Sequence, residues 1–201
     1  MKLYKSTTSP YARLAHAMLI ESGADLDVDI LNPWADPDRL VERNPARRVP
    51  VLELDDGTVI AESWLIAMHA RELAPEGSHL KTITPAQYEI AGRAFGALEA
   101  AVHIMVGRKI VSDDLAKTDY DSHKVAQRRF KALKTGLTEL DGKADHLSRE
   151  TLGLAEILVV DAVEYMDFRF PGADWRPAIP HLDAFVADVS DRPSIRDTRP
   201  S

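Results

Sequence analysis

The sequence predicts an α/β domain with a mixed sheet followed by an all-helical domain, and three observations predict it. Up to residue 75, short β-type and helical stretches alternate in the order β-α-β-α-β-β-α. Ala74-Pro75-Glu76-Gly77-Ser78 then reads as a linker, after which apolar residues recur only at helical spacings. At 201 residues the chain is long enough for two small domains, placed at residues 1–75 and 84–201.

Lys2 to Lys5 is the first strand, a short alternating apolar stretch. Pro10 suits the first turn of a helix, whose apolar positions Leu14, Met18 and Leu19 lead to a stop at Ser22-Gly23. Leu26, Val28 and Ile30 alternate as a second strand, and a Pro-rich turn follows at Asn32-Pro33-Trp34. Pro37 opens a short helix that ends before Asn44-Pro45. Val51-Leu52-Glu53-Leu54 and Thr58-Val59-Ile60-Ala61 flank Asp55-Asp56-Gly57, a hairpin signal, and a helix follows from Ser63 to about Leu73. A strand–helix–strand connection implies a parallel pair and a tight hairpin an antiparallel one, so the four-stranded sheet is mixed. This is the thioredoxin-like arrangement.

In the second domain, Thr84-Pro85-Ala86-Gln87 has the form of a capping box with Pro at the first helical position. It precedes apolar residues at Ala91, Ala94, Leu98, Ala101 and Met105. Ala126, Phe130, Leu133, Leu137 and Leu140, spaced by four and three, predict a second helix able to pair with the first. Leu154 to Phe168 is apolar on most sides and reads as the buried central helix of a bundle. The last helix spans about Leu182 to Val189, and Pro193 and Pro200 mark a tail.

Composition narrows the chemistry. The net charge of -7 is spread evenly, with 8 basic and 12 acidic side chains up to Pro75 and 17 and 20 after it, so there is no basic footprint for nucleic acid. No unbroken apolar run approaches the roughly 20 residues of a membrane span. The first residues have no secretion signal, which makes the cytoplasm the expected compartment. There are no cysteines, which excludes disulfides, zinc-thiolate sites and cysteine nucleophiles; any thiol chemistry must use a thiol on the ligand. The seven histidines lack a two-ligand helical spacing, so no metal site is expected.

Three stretches carry chemistry. Ser9-Pro10-Tyr11-Ala12 stands where the first strand hands over to the first helix, at a helix N-terminus whose unpaired N–H groups and dipole favour an anion. A C-P-Y-C dithiol would occupy this place, but both cysteines are replaced; Ser9 brings a hydroxyl that could donate to a bound thiolate or simply cap the helix. Asn44-Pro45-Ala46-Arg47-Arg48-Val49-Pro50-Val51-Leu52 sets a proline directly before a strand, where its missing N–H is tolerated. Ala61-Glu62-Ser63 ends a strand and begins a helix, where Ser63 either caps or exposes N–H groups to a carboxylate.

Together, S-P-Y near the start, N-P-x-x-x-V-P-V-L, D-D-G and E-S before a helix resemble the N-terminal pattern of the glutathione transferase family at its usual spacing. Ala97 to Val102, Tyr165 to Arg169 and Asp191 to Ile195 also look like bacterial members of unassigned substrate, extending the resemblance over nearly the whole chain.

The resemblance implies a cis Val49-Pro50 bond and a set of roles around glutathione as co-substrate. Ser9 faces the sulfur, with Ser6, Thr7 and Thr8 as rival hydroxyls. The Val49 backbone pairs with the cysteinyl part, and Arg48 stands where a lysine is common. Glu62 meets the γ-glutamyl ammonium and Ser63 its carboxylate, both charge-assisted contacts. Tyr11, Trp34 and His103 are candidates for the acceptor pocket, though each also reads as packing or solvated surface. The implied reaction is attack of the glutathione thiolate on an electrophilic, partly apolar small molecule, in a homodimer, with no metal or redox cofactor. The alternatives are a non-catalytic interaction protein on the same fold, or a glutathione-dependent isomerase, lyase or dehalogenase. One departure stands out: Gly153-Leu154-Ala155-Glu156 replaces the Ser or Thr and Asp of the family's usual capping box, predicting weaker nucleation of the central helix.

Overall fold

The computed structural model describes Met1–Ser201 throughout. Strands β1 (Lys2–Lys5), β2 (Asp27–Ile30), β3 (Val51–Glu53) and β4 (Val59–Ala61) form one sheet in the order β2-β1-β3-β4. β1 pairs in parallel with β2, and the β1–β3 and β3–β4 pairs are antiparallel, so the sheet is mixed as the sequence predicts. Tyr4 lies opposite Val51, and Val51 opposite Ala61. β1 therefore ends, β3 begins and β4 ends at the same end of the sheet, and this places the site described below.

Between the strands run α1 (Pro10–Glu21), α2 (Asp38–Val41) and α3 (Ser63–Leu73), at the predicted places. α1 packs on α3. The sheet supplies Leu3, Val51 and Leu52 to the core, and α1 supplies Leu14, Met18 and Leu19, all fully buried. The Pro-rich turn is a single 3₁₀ turn, Pro33–Ala35, closed by Asn32 Oδ1 accepting from the Trp34 N–H at 3.0 Å.

The second half of the chain contributes α4 (Pro85–Ser112), α5 (Lys124–Asp141), α6 (Leu154–Arg169), α7 (Pro180–Val189) and α8 (Pro193–Arg196). The chain divides into two compact units. Met1–Ile83, Glu150–Ile157 and Ser190–Ser201 make the first; Thr84–Arg149 and Leu158–Val189 make the second.

In the first unit, the C-terminal segment lies along α1. Arg13 is only 3% exposed, and its Nε donates to Thr198 Oγ1 at 3.3 Å. At the far end of α1, Glu21 accepts from the Ser194 hydroxyl. Inside the unit, the Lys5 ammonium donates to His16 Nδ1 at 3.1 Å. The tail thus contains a short helix, α8, which begins on Pro193 in the favoured first position.

In the second unit, Thr84 and Gln87 form the predicted capping box at the start of α4. α4 packs along α5, and the approach is close: a Cβ added at Gly136 would lie 3.3 Å from Ala97 Cβ. By length and composition α4 could cross a membrane, although 56% of its most apolar stretch is buried within the protein. Scanning for unbroken apolar runs misses it because Arg93 and Glu99 interrupt the sequence. α7 starts at Pro180, earlier than its apolar spacing predicts. The reason is a cap from far along the chain: Asp141 Oδ1 accepts from the His181 and Leu182 N–H groups, each at 2.9 Å.

Candidate functional site

Ser9 is the N-cap of α1, with extended backbone (φ -87°, ψ 117°) and Pro10 at the first helical position. Its Oγ accepts from the Ala12 N–H at 3.2 Å, and its carbonyl from the Arg13 N–H at 3.0 Å. A hydroxyl has one hydrogen to donate and two lone pairs, so accepting from Ala12 leaves the Ser9 hydrogen available. Capping and donation to a ligand are compatible in one side chain. The rival hydroxyls have protein partners: Ser6 and Thr8 are 3.2 Å apart, and Thr7 donates to the Ser201 carbonyl at 2.9 Å.

Before β3, the buried Asn44 holds the loop. Its Oδ1 accepts from the Ala46 N–H at 3.1 Å and its Nδ2 donates to the Arg48 carbonyl at 2.9 Å. This bracing accompanies a left-handed Arg47 (φ 57°), whose guanidinium meets Asp36 at 2.6 Å. The Val49-Pro50 bond is cis. Val49 is buried in a core cluster with Tyr4, Ala12 and Val51, while Arg48 projects outward.

After β4, Glu62 is the N-cap of α3 with φ 74° and ψ 127°, a region that a residue with a side chain rarely adopts. Its side chain makes no capping bond to the helix; it accepts instead from the Arg48 guanidinium. Both are well exposed, 66% for Arg48 and 55% for Glu62, so this pair contributes under about 1 kcal/mol to stability. Ser63 is buried at the first position of α3, one of the helix-start positions whose N–H has no intrahelical acceptor.

The register of the sheet brings the three stretches to one end: Ser9 follows β1, Val49-Pro50 precedes β3, and Glu62-Ser63 follow β4. Of the residues expected around an acceptor, Tyr11 is half-buried on α1. Trp34 is 67% exposed on the turn after β2, at that same end because β2 runs parallel to β1. His103 is exposed on α4 in the second unit. The Arg48–Glu62 pair and the left-handed Arg47 are not readable from sequence. The bracing by Asn44 could have been, since Asn before Pro is a turn signal.

Residues 8–73 match the family model described as glutathione S-transferase, N-terminal domain. Over 213 aligned residues the chain is 26% identical to the uncharacterized GST-like protein YibF of Escherichia coli (strain K12), covering 100% of this chain and 98% of that one. A glutathione S-transferase from Methylobacillus flagellatus KT, solved with GSH bound, superposes with a TM-score of 0.84 at 26% identity, covering 100% of this chain and 99% of the other. A glutathione transferase family member from Pseudomonas fluorescens Pf-5, solved with bound glutathione, gives a TM-score of 0.81 at 26% identity, covering 100% and 98%.

Proposed function

We propose that this chain, whose residues 8–73 match the glutathione S-transferase N-terminal domain and which is similar over its whole length to proteins of that family, binds glutathione at the end of the sheet where Ser9, Pro50 and Glu62 converge, and that the bound thiolate attacks an electrophilic, partly apolar small molecule. The observation that carries this reading is the convergence itself: three stretches far apart in sequence meet at one sheet end, each with a group suited to a different part of the tripeptide.

Glu62 offers a carboxylate to the γ-glutamyl ammonium, and the helix start at Ser63 offers a hydroxyl and N–H donors to its carboxylate. The Val49 backbone pairs with the cysteinyl part, and Arg48 leaves Glu62 to meet a ligand carboxylate. Ser9 donates to the sulfur at the N-terminus of α1, where the dipole favours the anion. A free thiol near pKa 8.5 is mostly protonated at neutral pH, and lowering it by two units requires about 2.7 kcal/mol. A hydroxyl donor and a helix N-terminus are of that scale together. Tyr11, Trp34 and His103 are the side chains assigned to the acceptor. The working protein is a cytoplasmic homodimer in this reading; the exposed Leu65 and Met68, three residues apart on α3, are apolar surface suited to a second copy.

The test is calorimetric titration with reduced glutathione, followed by a panel of electrophiles covering conjugation, isomerisation and dehalogenation. One glutathione bound per chain with turnover of at least one electrophile is expected. Binding without any turnover would make the chain a glutathione-binding interaction protein, and no binding would end the reading.

A further inference from the structure

In the second unit, an open cavity of about 480 Å³ lies where the C-terminal half of α4 meets the end of α6 and the loop after it, lined by Met105, Arg108, Phe168, Arg169, Phe170 and Trp175 among others. Its volume falls in the roughly 300–1,000 Å³ range of small-molecule sites. None of its lining residues takes part in the glutathione site.

We propose that this cavity binds a planar aromatic carboxylate. The walls select a flat apolar body. Phe170 and Trp175 meet edge to face at 5.0 Å, and each also packs against Phe130, at 5.8 and 5.0 Å, so the aromatic surface is fixed before a ligand arrives. The lining includes two guanidinium groups and no acidic side chain, and because the Arg108 charge is already balanced by Asp121 beside it, N–H donors rather than excess charge favour a carboxylate. Arg108 is only 7% exposed. Its Nε donates to Asp121 at 2.9 Å, its Nη2 to the same carboxylate, and its Nη1 to the Leu115 carbonyl at 3.2 Å. A guanidinium has five N–H donors, so two remain on a side chain already locked in place. The Arg169 guanidinium lies over the Phe168 ring at 4.6 Å and the Tyr165 ring at 5.4 Å, contacts that restrain its position. At about 100° per residue, Met105 and Arg108 lie roughly 140–200° around α4 from His103, so the cavity occupies a different face from the residue assigned to the acceptor.

Calorimetry on the full chain would compare naphthalene-2-carboxylate with its neutral amide, with and without excess glutathione. One carboxylate per chain is expected, bound about tenfold or more tightly than the amide, as a hydrogen bond to a charged group implies, and not displaced by glutathione. Arg169→Gln should weaken it about tenfold, and Ala116→Trp, which fills the mouth from an exposed position, should abolish it. Both variants should keep the thermal midpoint of the parent, which separates loss of binding from loss of fold. The proposal is overturned by no binding, by equal affinity for acid and amide, by displacement with glutathione, or by indifference to both substitutions in folded variants. None of these outcomes depends on whether glutathione is turned over.

Discussion

The Gly153 N–H donates to the Glu156 carboxylate at 3.1 Å across the first turn of α6. Half of a capping box is therefore formed, by the Glu side chain reaching back to the cap, while the half that needs a Ser or Thr hydroxyl is missing. A Cβ at Gly153 would be 3.4 Å from Glu156 Oε2, an ordinary contact. Gly153→Ser should accordingly stabilise the protein by about 0.5–1 kcal/mol, from the added cap and the loss of backbone freedom in the unfolded chain. Urea unfolding measures it, and a decrease would mean that the extra atoms disturb the buried Glu156.

Gly107 invites the opposite outcome. Glycine inside a helix costs about 1 kcal/mol relative to alanine, so propensity alone favours Gly107→Ala. A Cβ there would be 2.0 Å from Tyr120 Cε1 and 2.3 Å from Cδ1, so the ring must move. A net loss of about 1–3 kcal/mol is expected from overpacking. Adding Tyr120→Ala should recover much of it, a non-additivity that a double-mutant cycle detects. Additive losses would show that the ring is not the obstacle.

Glu62 sits where glycine would be more comfortable. Glu62→Gly should raise stability by about 1 kcal/mol through relief of its positive φ, while weakening glutathione binding by roughly 1.5–3 kcal/mol. Glu62→Ala should lose the same affinity without the gain in stability. Equal unfolding midpoints for the two variants would mean that the backbone stores no strain at this position.

Ser9→Ala should show two separate effects. Loss of the cap costs about 1 kcal/mol of stability. Loss of the donor should raise the pKa of bound glutathione by about one to two units, read as thiolate absorbance against pH. If stability falls while the thiolate pKa and turnover stay put, Ser9 is a helix cap and nothing more.

His16 predicts a pH dependence. Burial, and next the Lys5 ammonium, push its imidazole down to about 4 from 6.5, with Asp197 opposing. The folded protein thus holds His16 neutral while the unfolded chain takes up a proton below about 6.5. Its contribution to stability is complete above that pH and is lost progressively as pH falls from about 6.5 towards 4. His16→Gln should flatten the stability profile in that window; an unchanged slope would place the acid sensitivity elsewhere.

Much of the fold was legible because its signals are local. Pro10, the Asp56-Gly57 hairpin, and the Thr84 and Gln87 box each fix an element through neighbours in sequence, and the parallel β1–β2 and antiparallel β3–β4 pairings follow from their connections. What was not legible depends on distant partners. α7 begins at Pro180 because Asp141, on another helix, caps it, and α8 forms in a segment whose prolines read as a tail. In the candidate site, the resemblance of three motifs pointed to Ser9, Pro50, Glu62 and Ser63, which the register of the sheet sets at one end. The Arg48 partner of Glu62 and the backbone angles of Arg47 and Glu62 arise only once β3 and β4 are in register.

The return of residues 190–201 to the first unit has a practical outcome for anyone cutting this chain. A fragment ending at Ile83 would keep Ser9, Val49, Pro50, Glu62 and Ser63, yet Arg13 would lose the Thr198 hydroxyl and Glu21 the Ser194 hydroxyl. The α1 surface now covered by Ile195 and Thr198, both about 1% exposed, would face water. The helix that displays Ser9 is thus closed by the opposite end of the polypeptide. New chain termini opened in the exposed stretch Asp113–Lys117 would preserve that closure, whereas truncation near Ser190 would unmake it.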